Sequence, residues 1–369
     1  MNIREHKFFD GCAVKFTRQV NEAFESMSKD MDKVTREKSL KRLSDELDVI
    51  MWCGYFFEYY LFTQIVQYAL MSRRMISVQG LAAYSYVAYL LGITTVNPIE
   101  RNYPMEMMFG YHHDRSPLFN IHAAPSFKKD IVDFLNDVFG KEYVCVDGFM
   151  VSLKGADEEP DVLNRMGFSI FDREIIAEVE KIITSKVEGI AVQKAKESFN
   201  KDRLSILQPT FPSGKMKDSE IALKDPIKEL AAEYLTKDDS YFDADIVKKC
   251  FDTAWDGTYE GILNCFAMAY GVGVLEADLW TADKSRICTR DAFYQYGLSI
   301  FNNEKDTWEF VRKVRMGRGK QETFQLYLEE HGIPKDMREG IRTIGYVMSE
   351  GGLIPDAQMF LYCSTFPVN

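Results

Sequence analysis

Side chains that could bind a metal or activate a nucleophile are few in this sequence, and their spacing suits neither task. His112, His113 and Asp114, with His122 further along, form the sole histidine cluster. Adjacent histidines point in different directions and the spacing matches no standard zinc pattern, so a solvated loop is expected there and no metal site. Asp130, Asp133 and Asp137 recur at i, i+3 and i+7, which places three carboxylates on one helical face. They alternate with an apolar stripe and read as its solvent side. Glu158 with Glu159, and Asp238 with Asp239, are acid pairs in loop-like segments. The seven cysteines, at 12, 53, 145, 250, 265, 288 and 363, contain no C-x-x-C pair, and their odd number and wide spacing indicate reduced thiols. There is no P-loop, no G-x-S-x-G elbow and no dinucleotide fingerprint. No cofactor is expected.

One run opposes the overall charge. In VRKVRMGRGK, the cations Arg312, Lys313, Arg315, Arg318 and Lys320 follow one another without an acid. The whole chain carries 45 Lys plus Arg against 56 Asp plus Glu, a formal charge of −11, which discourages indiscriminate binding to phosphate backbones. The run therefore has two readings. It is a local nucleic-acid contact, or it is a solvated helix end whose cations complement the macrodipole before Gly317 and Gly319.

The elements that would position these residues can be read from apolar spacing. Residues 14–50, with Leu40, Leu43, Leu47 and Ile50 at helical intervals, predict an amphipathic helix. The aromatic block from Trp52 to Tyr68 continues as a mostly buried helix whose rings are core. In SVQGLAAYSYVAYLLGITTVNPI, the small residues Gly80, Ala82, Ala83, Ser85 and Ala88 permit close helix approach, and Asn97-Pro98 ends the element in a turn. A further helix is expected from Ser126 as N-cap to Gly140, with Ile131, Phe134, Leu135, Val138 and Phe139 as its stripe. EYVCVDGFMVSLKG predicts a β-hairpin turning at Asp147-Gly148. A helix is expected over 172–184, and the shift to Pro, Gly, Ser and Lys in QPTFPSGKMKDS marks a domain boundary. Helices are then expected over 244–251, 258–270, 289–300, 305–316, 322–330 and 335–347.

With 369 residues, 46% of them hydrophobic and 13% aromatic, the chain can bury the core of two globular parts. The expected division is an N-terminal helical segment at 1–50, a first domain at 51–207, a linker at 208–240 and a helical domain at 241–369. MNIREHKFFDG has no signal-type apolar stretch, and Glu58, Gln64, Gln67 and Gln79 interrupt the most apolar segments. No membrane span is expected, and the expected location is the cytoplasm.

GLAAYSYVAYLLGITTVNPI resembles the palm of the C-family bacterial replicative DNA polymerase alpha subunit in its Gram-positive form, where a Gly-Ser-Arg-Gly-Ser loop precedes a helix ending in G-I-T-x-V-N-P. RLSDELDVIMWCGYFFEYYLFTQIVQYAL is similar to that family's helix before the loop, and PMEMMFGYHHDRSP to its lead-in to the catalytic strand. Between Tyr241 and Tyr362, SRICTRDAFYQYGLSIF, VRKVRMGRGK and HGIPKDMREGIRTIGYVMSEGG follow the order of the family's fingers. Residues 151–240 show no placeable likeness. The resemblance implies a helix-rich α+β fold: a nucleotidyltransferase-like palm of the polymerase beta type with a small sheet, followed by all-helical fingers.

It also implies a chemistry that these residues do not support. Two-metal nucleotidyl transfer needs carboxylates holding two cations about 4 Å apart. The family's Pro-Asp-Ile-Asp falls on Pro117, Leu118, Phe119 and Asn120, so one metal ligand is a hydrocarbon and the other a neutral amide, a poor ligand for hard Mg²⁺. Its third aspartate, in Leu-Asp-x-Leu-Gly, has no counterpart between 150 and 240. Gly-Ser-Arg-Gly-Ser falls on Ser77, Val78, Gln79, Gly80 and Leu81, so Gln79 replaces the phosphate-binding guanidinium and only Gly80 survives. Lys-Ala-His-Ala of the fingers is here Glu350, Gly351, Gly352 and Leu353, and the zinc insert is missing between Pro98 and Met105. The length is expected to leave no room for the histidine-rich domain, the exonuclease or a clamp-binding tail.

The reading that follows is a non-catalytic relative with no metal, binding primer-template DNA through Arg312–Lys320 or another replication protein. One alternative is an active polymerase with a relocated carboxylate such as Asp147 or Asp114. The other is a protein-binding scaffold without nucleic-acid affinity.

Overall fold

The computed structural model describes residues 2–110, 112–113, 116–155, 165–174, 176–178, 180–181, 227–237, 242–277, 279 and 287–365. The chain divides into two compact units, Met1–Phe211 with Thr365–Asn369, and Pro212–Ser364. No helix among the described residues is long and apolar enough to cross a membrane.

In the first unit the single helix expected over 14–50 is two: α1 (Cys12–Met27) and α2 (Lys33–Trp52). The break has a local cause. Asp32 caps α2 by accepting from the backbone N–H groups of Val34 and Thr35, which starts a new helix there. The buried face of α2 also departs from the expected stripe. Leu43 and Ile50 are buried as expected, but Leu40 is exposed while Ser39 and Glu46 are buried. α3 (Phe56–Met71) is buried on most of its circumference, as its aromatic composition requires. Trp52, counted with that core from the sequence, is instead 89% exposed, because it sits where α2 ends before the Gly54 turn.

Five strands form one mixed sheet in the order β1-β2-β5-β4-β3. They are β1 (Ile76–Gln79), β2 (Asn120–Ala123), β3 (Val144–Asp147), β4 (Met150–Lys154) and β5 (Arg165–Asp172). β2 and β5 run parallel, and the other neighbours are antiparallel. The apolar face carries Val78, Ile121, Ile170, Phe168 and Val151, all buried. Phe119, just before β2, stacks at 4.1 Å on Phe62 of α3, and Phe168 meets the same ring edge-on at 5.0 Å.

The expected hairpin forms, one residue out of place: Asp147 pairs with Met150, so the turn residues are Gly148 and Phe149. Gly148 takes φ +57°, the conformation that suits a glycine in this turn. The helix Pro125–Phe139 is capped by Ala124 with Pro125 in its first turn, not by Ser126. The Ser126 hydroxyl accepts instead from Arg74 at 2.6 Å. Its buried stripe is Phe127, Ile131, Leu135 and Phe139, which leaves Phe134 and Val138 at the margins.

The second unit is helical in all its described elements, apart from an isolated Val272–Tyr346 bridge. Its first helix among the described residues, Ile227–Lys237, lies within the stretch expected as linker. Ile227, Ala231, Ala232, Tyr234 and Leu235 give it a buried side that the Pro- and Lys-rich residues before it obscure. Thr258, Thr289 and Asn303 cap Tyr259–Tyr270, Arg290–Phe301 and Glu304–Arg315. The helix expected over 335–347 stops at Thr343. Asp114, the acid pairs at 158–159 and 238–239, part of the helix expected over 172–184 and residues 208–226 lie outside the described residues; within that helix, residues 174, 176–178 and 180–181 are helical.

Candidate functional site

Side chains alternate across a strand, so one row of paired residues runs along the polar face of the sheet. Register makes that row Gln79, Asn120, Ser169, Met150 and Asp147, from β1 through β2, β5 and β4 to β3. Two positions that sequence reasoning treated separately are therefore neighbours, because Gln79 closes the loop remnant and Asn120 opens β2. Gly80 completes the junction: it takes φ +81°, and a Cβ there would lie 2.9 Å from the Asn120 side-chain nitrogen. Leu118, two residues before Asn120, is 39% exposed, unlike the buried Phe119 between them.

The electrostatics of this row follow from its composition. Gln79, Asn120, Ser169 and Met150 are neutral, and the sole carboxylate of the row is Asp147 on the β3 edge. Three strand spacings separate Asp147 from Asn120, roughly 14 Å. That is several times the span of two metals bridged by shared carboxylates. Asp172 ends β5 opposite Ala123, on the apolar side, and accepts from the Lys128 ammonium at 3.0 Å. Among the described residues no group of three or more His, Cys, Asp and Glu could hold a metal ion.

The next row contains Ser77, His122 and Phe171. His122 Nδ1 lies 3.3 Å from an Arg173 guanidinium nitrogen. Arginine only donates, so Nδ1 accepts and the imidazole proton sits on Nε2. Burial, and then the Arg173 charge, hold His122 well below the usual histidine pKa, so it is neutral at pH 7. His113 sits in the histidine loop with φ +55°.

A buried network behind the loop was not found from the sequence. Glu46 of α2 is fully buried and accepts four bonds: from Arg42 Nε at 2.6 Å and Tyr86 N at 2.8 Å on one oxygen, and from Ser85 Oγ at 2.8 Å and Val87 N at 3.1 Å on the other. Arg42 then donates to the backbone oxygens of Tyr103 and Tyr84 at 2.5 and 2.6 Å. Tyr59 donates to Ser85 Oγ at 2.8 Å, and burial beside Glu46 raises its phenol well above the ordinary value. The network fixes the segment from Gly80 to α4 (Tyr86–Leu90). The signal was an Arg–Glu pair at i, i+4, which ordinarily marks an exposed helix face.

In the second unit the basic run closes Glu304–Arg315 and passes through a short turn, Arg318–Lys320. Arg312 pairs with Glu309 at 2.9 Å. The Lys313 ammonium lies 5.2 and 5.1 Å from the ring centres of Phe324 and Tyr327. Gly317 takes φ +64°, and Gly319 lies against the Ile341 carbonyl, where a side chain would clash. Glu350 begins the last helix, donating from its N–H to Asp291 at 2.8 Å and accepting from Thr289 at 3.1 Å; Leu353 is wholly buried.

The model of the bacterial DNA polymerase III alpha NTPase domain matches residues 15–221, more than half of the chain. That span includes residues 151–221, where the sequence alone showed no likeness; the basic run lies outside it. The chain is 26% identical over 142 residues to the error-prone DNA polymerase of Hahella chejuensis, covering 38% of this chain and 14% of that one. It is 26% identical over 155 residues to DNA polymerase III subunit alpha of Staphylococcus epidermidis, covering 42% and 14%. To the same subunit of Staphylococcus aureus it is 27% identical over 157 residues, again covering 42% and 14%. The matched stretch thus spans about one seventh of the length of these curated relatives.

Proposed function

The chain belongs to the bacterial DNA polymerase III alpha family, and from that membership we propose that it is a non-catalytic member serving as a DNA-binding or replication-associated accessory. The observation that carries the reading is the row Gln79, Asn120, Ser169, Met150 and Asp147. Its neutral end meets the loop remnant at Gly80, and its one carboxylate stands three strands away. A two-metal site needs paired anions at the place where substrate phosphates are bound. Here the amide Asn120 opens β2 with the hydrocarbon Leu118 two residues before it, and a second amide, Gln79, ends β1.

One run carries the nucleic-acid side of the reading: Arg312, Lys313, Arg315, Arg318 and Lys320 are the candidate phosphate contacts. Arg312 is engaged by Glu309 and Lys313 by two rings, an observation that favours a second reading, a protein-binding accessory without nucleic-acid affinity.

Primer extension with Mg²⁺ or Mn²⁺ tests the first part. The expected result is no incorporation; incorporation abolished by Asp147→Ala would overturn it in favour of a relocated carboxylate. DNA binding measured against salt tests the second part. A salt-dependent affinity that falls when Arg315 and Arg318 are changed to Ala supports the DNA contact, and no binding supports the scaffold.

A further inference from the structure

The two edges of the sheet differ. β1 is buried along its whole length, whereas β3 passes from half-buried at Val144 and Cys145 to exposed at Val146 and Asp147, with Val146 45% accessible. β3 holds no proline, no lysine and no bulge, the devices that ordinarily keep a bare edge from pairing.

Register and hydrogen bonding decide which backbone groups of β3 face outward. Lys154 donates its N–H to the Tyr143 carbonyl at 2.9 Å, and these two residues stand opposite one another when the β3–β4 register is extended by one position. Bonded and non-bonded pairs alternate along an antiparallel ladder, so Cys145 with Ser152 and Asp147 with Met150 are the bonded pairs. The N–H and C=O groups of Val144 and Val146 therefore point away from β4. None of these four groups has a hydrogen-bond partner among the described residues. The Val146 side chain stands on the apolar side of the sheet beyond Val151, and the free thiol Cys145 stands on the other side beside Ser152.

Four outward groups on two valines separated by one residue make a self-complementary unit. Turned about a two-fold axis through Cys145, Val144 of one copy faces Val146 of the other, and the reverse. The two bonded pairs then use all four groups of each copy, and the two Cys145 side chains meet in the non-bonded pair on the axis. An axis at Val144 or Val146 would set one valine of each copy against a residue outside the strand, and an axis between residues would set outward groups against inward ones. Charge agrees with the Cys145 register. Asp147 is the sole charged residue of β3. The register holds the two Asp147 carboxylates roughly 13 Å apart along the strands, whereas like charges directly opposite destabilise a pair.

We propose that the β3 edge is a self-association surface, on which β3 of a second copy adds antiparallel about Cys145 and joins the two sheets into one. The inference goes beyond the reading above and does not depend on it.

The test uses the full chain, first in sedimentation equilibrium under reducing conditions, then with diamide, which takes up the two electrons and two protons released when two thiols become a disulfide. The first should show a reversible dimer. The second should give a covalent dimer whose linked peptides both contain Cys145, and Cys145→Ser should abolish it. Val146→Pro removes one intermolecular donor from each copy without touching the β3–β4 ladder, which does not use that N–H, and should weaken the dimer about tenfold or more. Val146→Lys keeps the backbone groups but sets an edge charge beside the apolar contact, and should weaken it likewise while melting near the native temperature. The lysine variant decides the matter if the proline variant does not fold. A covalent dimer linked through other cysteines, or a dimer that Val146→Lys leaves unchanged, would overturn the proposal. So would a chain that stays monomeric, which would assign the open edge to a strand from a different protein.

Discussion

Two regions touch the segment that begins at Gln79, and they treat charge in opposite ways. Behind it, Arg42 and Glu46 form a buried ion pair in which every carboxylate lone pair is directed at a donor. In front of it, the row through Asn120 holds no charge until Asp147 at the far edge. The first is the costly kind of interaction to keep, because each ion must be desolvated and is tolerated only when fully partnered. Its retention beside a neutral strand separates two tasks that one loop can perform. Holding the backbone of Gly80–Tyr84 and α4 in place depends on Glu46, while recruiting cations would depend on the strand.

The contrast can be broken most forcefully from behind. Glu46→Ala leaves Arg42 buried without its partner and four donors without an acceptor, and should lower the unfolding free energy by about 3–5 kcal/mol, read from urea denaturation. A loss under about 1 kcal/mol would mean that the loop does not lean on this network. Next in size is Gly80→Ala. The positive φ and the contact with Asn120 should cost about 1–3 kcal/mol, and pairing it with Asn120→Ala should recover the steric part.

His122 supplies a pH test of the front region. Its folded pKa lies well below the ordinary 6.5, so on acidification the unfolded chain takes up this proton while the folded chain does not. The stability that neutral His122 provides is present above the ordinary value and is lost as pH falls from 6.5 towards the folded pKa. His122→Gln should flatten the slope of melting temperature against pH over that range; an unchanged slope would place His122 in contact with water. The smallest effect is expected at Arg312→Ala. Its pair with Glu309 is part-exposed on both sides, and the thermal shift should correspond to under about 1 kcal/mol.

Much of this arrangement is legible in the residues, for identifiable reasons. The β3–β4 hairpin and the run of helices after residue 240 follow from alternation and helical spacing, whereas the rest of the small sheet was implied only by the resemblance. Leu118, Asn120 and Gln79 were singled out by the resemblance, which places them where the family carries two aspartates and an arginine. What was not legible depends on pairing across distance. The adjacency of Gln79 and Asn120 is a register fact between strands some forty residues apart in the chain. Glu46 was hidden because an i, i+4 Arg–Glu pair looks the same whether it faces water or the interior, and Leu40 and Leu47 suggested the wrong face. The ring contact of His122 with Phe171 was invisible for a similar reason: it joins two separate segments, and a histidine in a loop-like context carries no sign of a ring partner on β5. The N-cap of the helix Pro125–Phe139 was misplaced by two residues because Pro125 can open a helix without a side-chain cap.

The account stands or falls on whether the Asn120 row binds catalytic cations. Titrating the native chain with Mn²⁺ in the presence of a deoxynucleoside triphosphate, and counting bound ions by electron paramagnetic resonance, measures this directly. The expected result is no more bound Mn²⁺ than the free nucleotide itself retains. Two protein-dependent Mn²⁺ ions per chain, lost on Asp147→Ala or Asn120→Ala, would contradict it.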